Sequence, residues 1–431
     1  MTTPFAAVQA AWRFLNNPRV TPGQLAGPLV ECARVEAPKA CQRWLLVAMD
    51  WCKLHFGGHG AKDDRVALAH RKDLGYDLLT ALAIGDRDGS PIAPLCLELR
   101  ADDGVHSTRT PRPFRPGSSL DGLAAVMDHV AGLGLGTTPT PTTTPPPTPP
   151  PVFVIDREAD SVGHYRNWDA AGHRFLVRAD DARLVLHDGR ERLLGEVADG
   201  MNRDEGQLSR VVGPVTFKGR PAVQFAGETI VVLHRPARTH RVTDRRTRQA
   251  KHRNVAGTPL PLRLIVSEVR DARTGKVLAR WLLLTNLPTA VDAATAARWY
   301  YWRWRIESYH KLLKGAGQQV EQWQQETAAA LARRLLVAAM ACVVVWRLAR
   351  DDAPAAAPVR DLLVRLSGRQ IKRGKGRPTF TEPALLAGLG VLIPMLELLR
   401  THDLDDLRQM AEAALPGLLP IATPAAKREG G

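Results

Sequence analysis

Tyr300, Arg303, Glu307 and Lys314 stand at offsets of 0, 3, 7 and 14 residues along a segment with helical periodicity. At about 100° per residue these offsets fall within roughly 60° of one another, so one helix presents all four on one face over about four turns. A phenol, a guanidinium, a carboxylate and an ammonium in that file suit a polyanion together with a metal ion. Two further carboxylates follow apolar runs. Asp50 closes Trp44-Leu-Leu-Val-Ala-Met49, and Asp156 comes directly after Val152-Phe-Val-Ile155. Metal-assisted phosphodiester chemistry needs hard oxygen ligands that hold two cations at the scissile phosphate, one to activate the attacking oxygen and one to stabilise the leaving oxygen. Asp50, Asp156 and Glu307 are therefore the candidate catalytic set. Taken singly, either aspartate reads better as a solvated turn or a helix cap.

Two adjacent strands and one helix are the elements that would bring these groups together. The runs at 44–49 and 152–155 read as buried strands. Leu78–Ile84 and Ile92–Leu99 flank Gly85-Asp-Arg-Asp-Gly89 and predict a hairpin beside the first strand. Residues 118–134 predict a helix. Residues 137–151 are almost entirely Thr and Pro, which predicts an extended linker. A further helix and the strand Arg174–Arg178 follow Asp156. Residues 181–285 carry strand patterns at Thr229–His234, Leu262–Val266 and Val277–Thr285, and from Asp292 onward the pattern is helical.

The net charge is +15 and the pI near 10.0. Such an excess attracts polyanions irrespective of their sequence, which puts nucleic acid first among partners, although an Arg-rich chain can be basic without one. Arg235–Arg253 concentrates that charge and suits phosphate tracking, with a solvated loop as the plainer reading, and a second basic run, Arg369–Arg377, interrupts the C-terminal helices. The cysteines (Cys32, Cys41, Cys52, Cys96, Cys342) show no CxxC spacing, which argues for reduced thiols and against a zinc ribbon. His55 and His59 lack a second ligand cluster and read as loop or surface residues. The N-terminus has no signal-peptide pattern, and the apolar run Leu335–Trp346 is about 12 residues, below the roughly 18 of a membrane span. The expectation is a cytoplasmic protein.

Val154-Ile-Asp-Arg-Glu-Ala-Asp160 and Tyr300-Tyr-Trp-Arg-Trp-Arg-Ile-Glu-Ser-Tyr-His-Lys-Leu-Leu-Lys314 resemble the signature blocks of DDE transposases of the insertion-sequence-four family, with the Tn-five type nearest. The Tyr-Arg-Glu-Lys spacing matches the family's YREK signature without a gap, and the resemblance runs from about Phe14 to residue 350. It implies an α/β, RNase H-like catalytic core with a β-rich insertion and a helical C-terminal region. It implies Mg²⁺ as cofactor (Mn²⁺ substituting), two ions per site, held by Asp50, Asp156 and Glu307. It further implies that Tyr300, Arg303, Lys314 and Arg178 contact DNA, with Lys311 of the same block beside them, and that Trp281 receives a flipped-out base. The implied reaction is hydrolysis at the transposon end and transfer of the freed 3′-hydroxyl to target DNA, through a hairpin intermediate in Tn-five-like relatives. A homodimer would pair two terminal inverted repeats.

On this reading residues 1–42 form a shortened DNA-binding segment, 43–180 the first part of the core, 181–285 the insertion, 286–350 the core completion, and 351–431 a possible dimerisation region. Only 49 residues precede Asp50, fewer than the family's end-binding domain needs, and Trp51-Cys52 stands where Thr or Ser is usual. Those departures keep two alternatives open: a DNA-binding remnant without activity, and a cellular nuclease of the same superfold.

Overall fold

The computed structural model describes residues 4–135, 149–203, 208, 210–234, 238–243, 250–255, 257–315, 317–369 and 379–414. The linker expected at 137–151 lies outside them except for its last three residues, as does nearly all of the basic run 369–377. In chain order the elements are α1 (Pro4–Asn16), α2 (Pro22–Ala40), β1 (Leu45–His55), β2 (Val66–Ala67), β3 (Leu74–Gly85), β4 (Pro91–Ala101), β5 (Gly104–Ser107), α3 (Ser119–Gly132), β6 (Pro151–Ile155), α4 (Val162–Ala170), β7 (Arg174–Arg178), β8 (Leu184–His187), β9 (Arg190–Leu193), α5 (Leu194–Arg203), β10 (Arg210–Phe217), β11 (Arg220–Leu233), β12 (Arg238–Thr243), β13 (Ala250–Val255), β14 (Leu260–Asp271), β15 (Val277–Thr285), α6 (Ala293–Trp302), α7 (Trp304–Leu313), α8 (Ala328–Arg350), α9 (Ala356–Leu366), α10 (Glu382–Leu398) and α11 (Leu404–Ala414). The chain is therefore mixed α/β.

Packing divides it into two units, Ala11–Arg347 and Met1–Ala10 with Leu348–Gly431. In the larger unit one mixed sheet runs β5-β4-β3-β1-β6-β7-β15-β14-β11-β8-β9, with β2 added to β3 and β10 to β11. The expected hairpin β3–β4 lies antiparallel beside β1, while β6 and β7 are parallel to β1 and to each other. Leu45–Met49 of β1 and Val152–Ile155 of β6 are buried throughout, the continuous apolar pattern of strands covered on both faces. The segment read as an insertion continues this sheet, because β15 pairs antiparallel with β7. It also contains a helix, α5, that the strand patterns did not announce. The basic run 235–253 includes β12 and most of β13, which pair antiparallel.

Two sequence expectations change here. β1 extends to His55, so Asp50 lies within the strand, paired in register with Thr80, and not at its end. A continuous strand is possible because Trp51–Leu54 still alternate toward buried and exposed faces. The single helix expected to carry the Tyr300–Lys314 file is instead two, α6 and α7, with Arg303 between them. The junction is tight: the Arg303 N–H donates to the Tyr300 carbonyl at 3.2 Å and the Ile306 N–H to the Arg303 carbonyl at 3.0 Å, both i to i+3 bonds. The break has a packing cause. α6 lies on β10, β11 and β14, whereas α7 lies on β1 and β3. α7 is anchored by buried Ile306, Tyr309, Leu312 and Leu313, each contributing about 1.5–3 kcal/mol by burial.

The apolar run at 335–346 belongs to the longer helix α8, of 23 residues, which by length and composition is long and apolar enough to cross a membrane. Within its most apolar window 67% is buried inside the protein, including Leu331, Leu335 and Leu336. In the smaller unit α9 and α10 pack closely: a Cβ on Gly388 of α10 would strike the backbone of Leu363.

Candidate active site

Adjacent parallel strands place the two aspartates. Met49 of β1 is opposite Ile155 of β6, so Asp50 and Asp156 come one residue later, side by side. Asp156 leaves the strand and caps a single 3₁₀ turn, its Oδ1 accepting the Arg157 N–H at 2.7 Å. α7, lying across β1, delivers Glu307.

The three carboxylates meet at Arg303. Its Nη1 donates to Asp50 Oδ2 at 3.0 Å, and its Nη2 donates to Asp156 Oδ2 at 3.1 Å and to Glu307 Oε1 at 2.9 Å. Arg303 is only 4% exposed, and its Nε has no hydrogen-bond partner among the described residues. Tyr300 adds a hydrogen bond from its hydroxyl to Asp156 Oδ1 at 3.1 Å, and Arg178, at the end of β7, approaches the same oxygen at 3.6 Å. Three carboxylates against two guanidiniums leave the cluster one negative charge in excess when all are ionised.

The two aspartates titrate in opposite directions. Burial pushes the Asp50 carboxyl up to about 6; Arg303 opposes this, while Asp156 and Glu307 reinforce it. Burial also acts to raise Asp156, but Arg303, the Arg157 N–H, Arg178 and Tyr300 together outweigh it and hold that carboxyl below the usual range. Burial, with help from Asp156, raises the Tyr300 phenol well above its ordinary value, so it stays a neutral donor.

Lys314 does not join this cluster. It lies just past the end of α7, and its Nζ pairs with Glu321 Oε1 at 3.2 Å. The same oxygen accepts the His55 N–H at the end of β1, at 3.0 Å. Lys311 is exposed on α7. His55 is exposed, as expected, and pairs with Asp73, while His59 contacts the Glu321 carbonyl. Trp281 is 6% exposed and sits against Tyr300, with ring centroids 5.4 Å apart, and against Phe217 at 6.4 Å. So placed, Trp281 presents almost no surface on which a base could stack.

The open aromatic surface lies next to it. Phe217, Lys218, Tyr301, Trp302, Trp304 and Arg305 line a cavity of about 230 Å³ together with Thr216 and Ser308. Trp304 is 37% exposed in the lining of this cavity. Phe217, Lys218 and Arg305 carried no sequence signal, because the β10–β11 turn meets α7 only in the folded chain. Nor did sequence periodicity reveal that Arg303 turns inward toward acids.

As donors, Asp50, Asp156 and Glu307 fit a hard divalent cation: all are anionic oxygens, on rigid elements, converging on positive charge. Among the described residues no group of three His, Cys, Asp or Glu side chains is already disposed to hold a metal ion, since the guanidinium stands between these carboxylates. No protein-family model matches the chain, and no curated protein matches it.

Proposed function

We propose that this chain is a DDE-type transposase that cuts DNA at the ends of its element and joins the freed 3′-hydroxyl to target DNA. The observation that carries the reading is the convergence of Asp50, Asp156 and Glu307 on one buried guanidinium, from two parallel strands and a helix remote in sequence. The order β4-β3-β1-β6-β7, with β3 and β4 antiparallel and β6 and β7 parallel to β1, supports an RNase H-like core. The +15 charge and the YREK-like block support DNA as substrate.

Asp50, Asp156 and Glu307 would hold Mg²⁺ or Mn²⁺. When bound, such ions lower the pKa of an attacking water or hydroxyl and neutralise the leaving oxygen. Tyr300 orients Asp156 through its hydroxyl, and the Arg157 N–H fixes the same oxygen. Exposed Lys311, one helical turn after Glu307, offers an ammonium group to phosphate, and half-buried Lys314 would do so by leaving Glu321. The aromatic cavity offers stacking surface, with Lys218 and Arg305 in its lining. A second copy of the chain would pair two element ends, with activity in the cytoplasm at the nucleoid.

The test is cleavage of a plasmid carrying the DNA that flanks this gene, against a plasmid of unrelated sequence, with Mn²⁺ or Mg²⁺ at matched salt. Wild type should cut at the flanking repeats. Glu307→Gln should lose on the order of a thousandfold in rate, about 4 kcal/mol of transition-state stabilisation. Equal cutting by both proteins would overturn the assignment. Metal-dependent cutting of both plasmids alike would point to a general nuclease.

A further inference from the structure

Arg303 makes a bond to each of the three carboxylates, and it is buried while doing so. A fixed ion pair of this kind contests the same oxygens that a divalent cation would use. Arg303 is buried while the three carboxylates are partly exposed, and its charge offsets their mutual repulsion, so removal of Arg303 favours a replacement cation among them. A guanidinium binds phosphate as readily as carboxylate, through the same two-pronged geometry. Its Nε is buried and has no hydrogen-bond partner among the described residues, so the inward position leaves one donor unsatisfied that an outward turn toward phosphate would satisfy. Tyr300 and Arg178 would keep Asp156 in place after Arg303 turned away, because they contact Oδ1 whereas Arg303 holds Oδ2.

We propose that Arg303 is an internal counter-ion that competes with the divalent cation for Asp50, Asp156 and Glu307, and that a DNA phosphate releases it. The proposal rests on the reading of these carboxylates as a cation site. It makes metal and DNA binding mutually reinforcing: DNA withdraws the guanidinium, the oxygens then accept the metal, and by linkage the metal favours the state in which Arg303 faces phosphate. Without DNA the protein holds its carboxylates quiet with its own cation. The free enzyme would thus bind metal weakly and assemble its centre only on substrate.

The test is Mn²⁺ binding by electron paramagnetic resonance, without turnover, on the full chain and on Arg303→Gln and Arg303→Lys. Without DNA, Arg303→Gln should bind Mn²⁺ about tenfold or more tightly than wild type, within the usual range of coupling between sites. A duplex oligonucleotide should tighten Mn²⁺ binding by wild type but not by Arg303→Gln. Without metal, Arg303→Gln should melt below wild type, and Mn²⁺ should restore its Tm. Arg303→Lys, which retains charge but cannot bridge three acceptors in one plane, should fall between the two. Equal Mn²⁺ affinity in wild type and Arg303→Gln would overturn the counter-ion and leave the metal site standing. No Mn²⁺ binding by any of them, with or without DNA, would overturn the metal site itself.

Discussion

Asp50 and Asp156 are the same chemical group at neighbouring strand positions, yet the fold separates their proton affinities. Asp50 has Arg303 as its cationic partner and titrates up at about 6, while Asp156 gathers Arg303, Arg178, Tyr300 and a backbone N–H and titrates down. The sign for stability follows from linkage. A carboxyl whose folded pKa is raised binds its proton more tightly in the native state, so its contribution favours folding at low pH and is lost as pH rises from 3.8 through about 6. In metal-free protein, Asp50→Asn should therefore gain on wild type in urea midpoint as pH rises from about 4 to about 6, with little further change above that, measured by paired denaturation curves. Metal binding has the opposite slope, because only the ionised carboxyl ligates: Mn²⁺ affinity should weaken as pH falls below about 6. Tyr300→Phe removes one hydrogen bond from Asp156 and should cost about 1 kcal/mol of stability.

At the scale of elements, the junction between α6 and α7 does what a straight helix would not. The YREK-like spacing was legible as a helical file, and Tyr300, Arg303 and Glu307 do converge. The break at Arg303 was not legible, because both halves have good helical patterns and only their different supports, the β10–β11–β14 surface and the β1–β3 surface, force the turn. The break is braced from outside by the β3–β4 turn. Gly89 has φ +73°, a Cβ there would enter the Trp302 indole, and its carbonyl accepts the Arg305 Nε–H at 3.1 Å. Gly89→Ala should therefore destabilise by about 1–3 kcal/mol, from backbone strain and overpacking together. Calorimetry would read this as a lowered Tm, and an unchanged Tm would show that the turn does not bear on the helices.

Over the whole molecule, charge and sheet topology set the behaviour. A protein of +15 that neutralises about six phosphates should lose roughly a thousandfold in DNA affinity between about 50 and 200 mM salt. Fluorescence anisotropy across a salt series checks this, and a flat dependence would contradict polyanion binding. The buried strands at 45–49 and 152–155, the hairpin β3–β4 and the cap position of Asp156 were all readable in sequence, because apolar runs and turn residues encode local geometry directly. What Arg303 touches was not readable. Its bond to Asp50 closes a separation of 253 residues, and the pairing exists only because β1 and β6 are adjacent and parallel and α7 crosses them. Periodicity says which face a side chain occupies; whether that face meets phosphate, metal or the protein's own acids depends on long-range register, which only the tertiary structure decided.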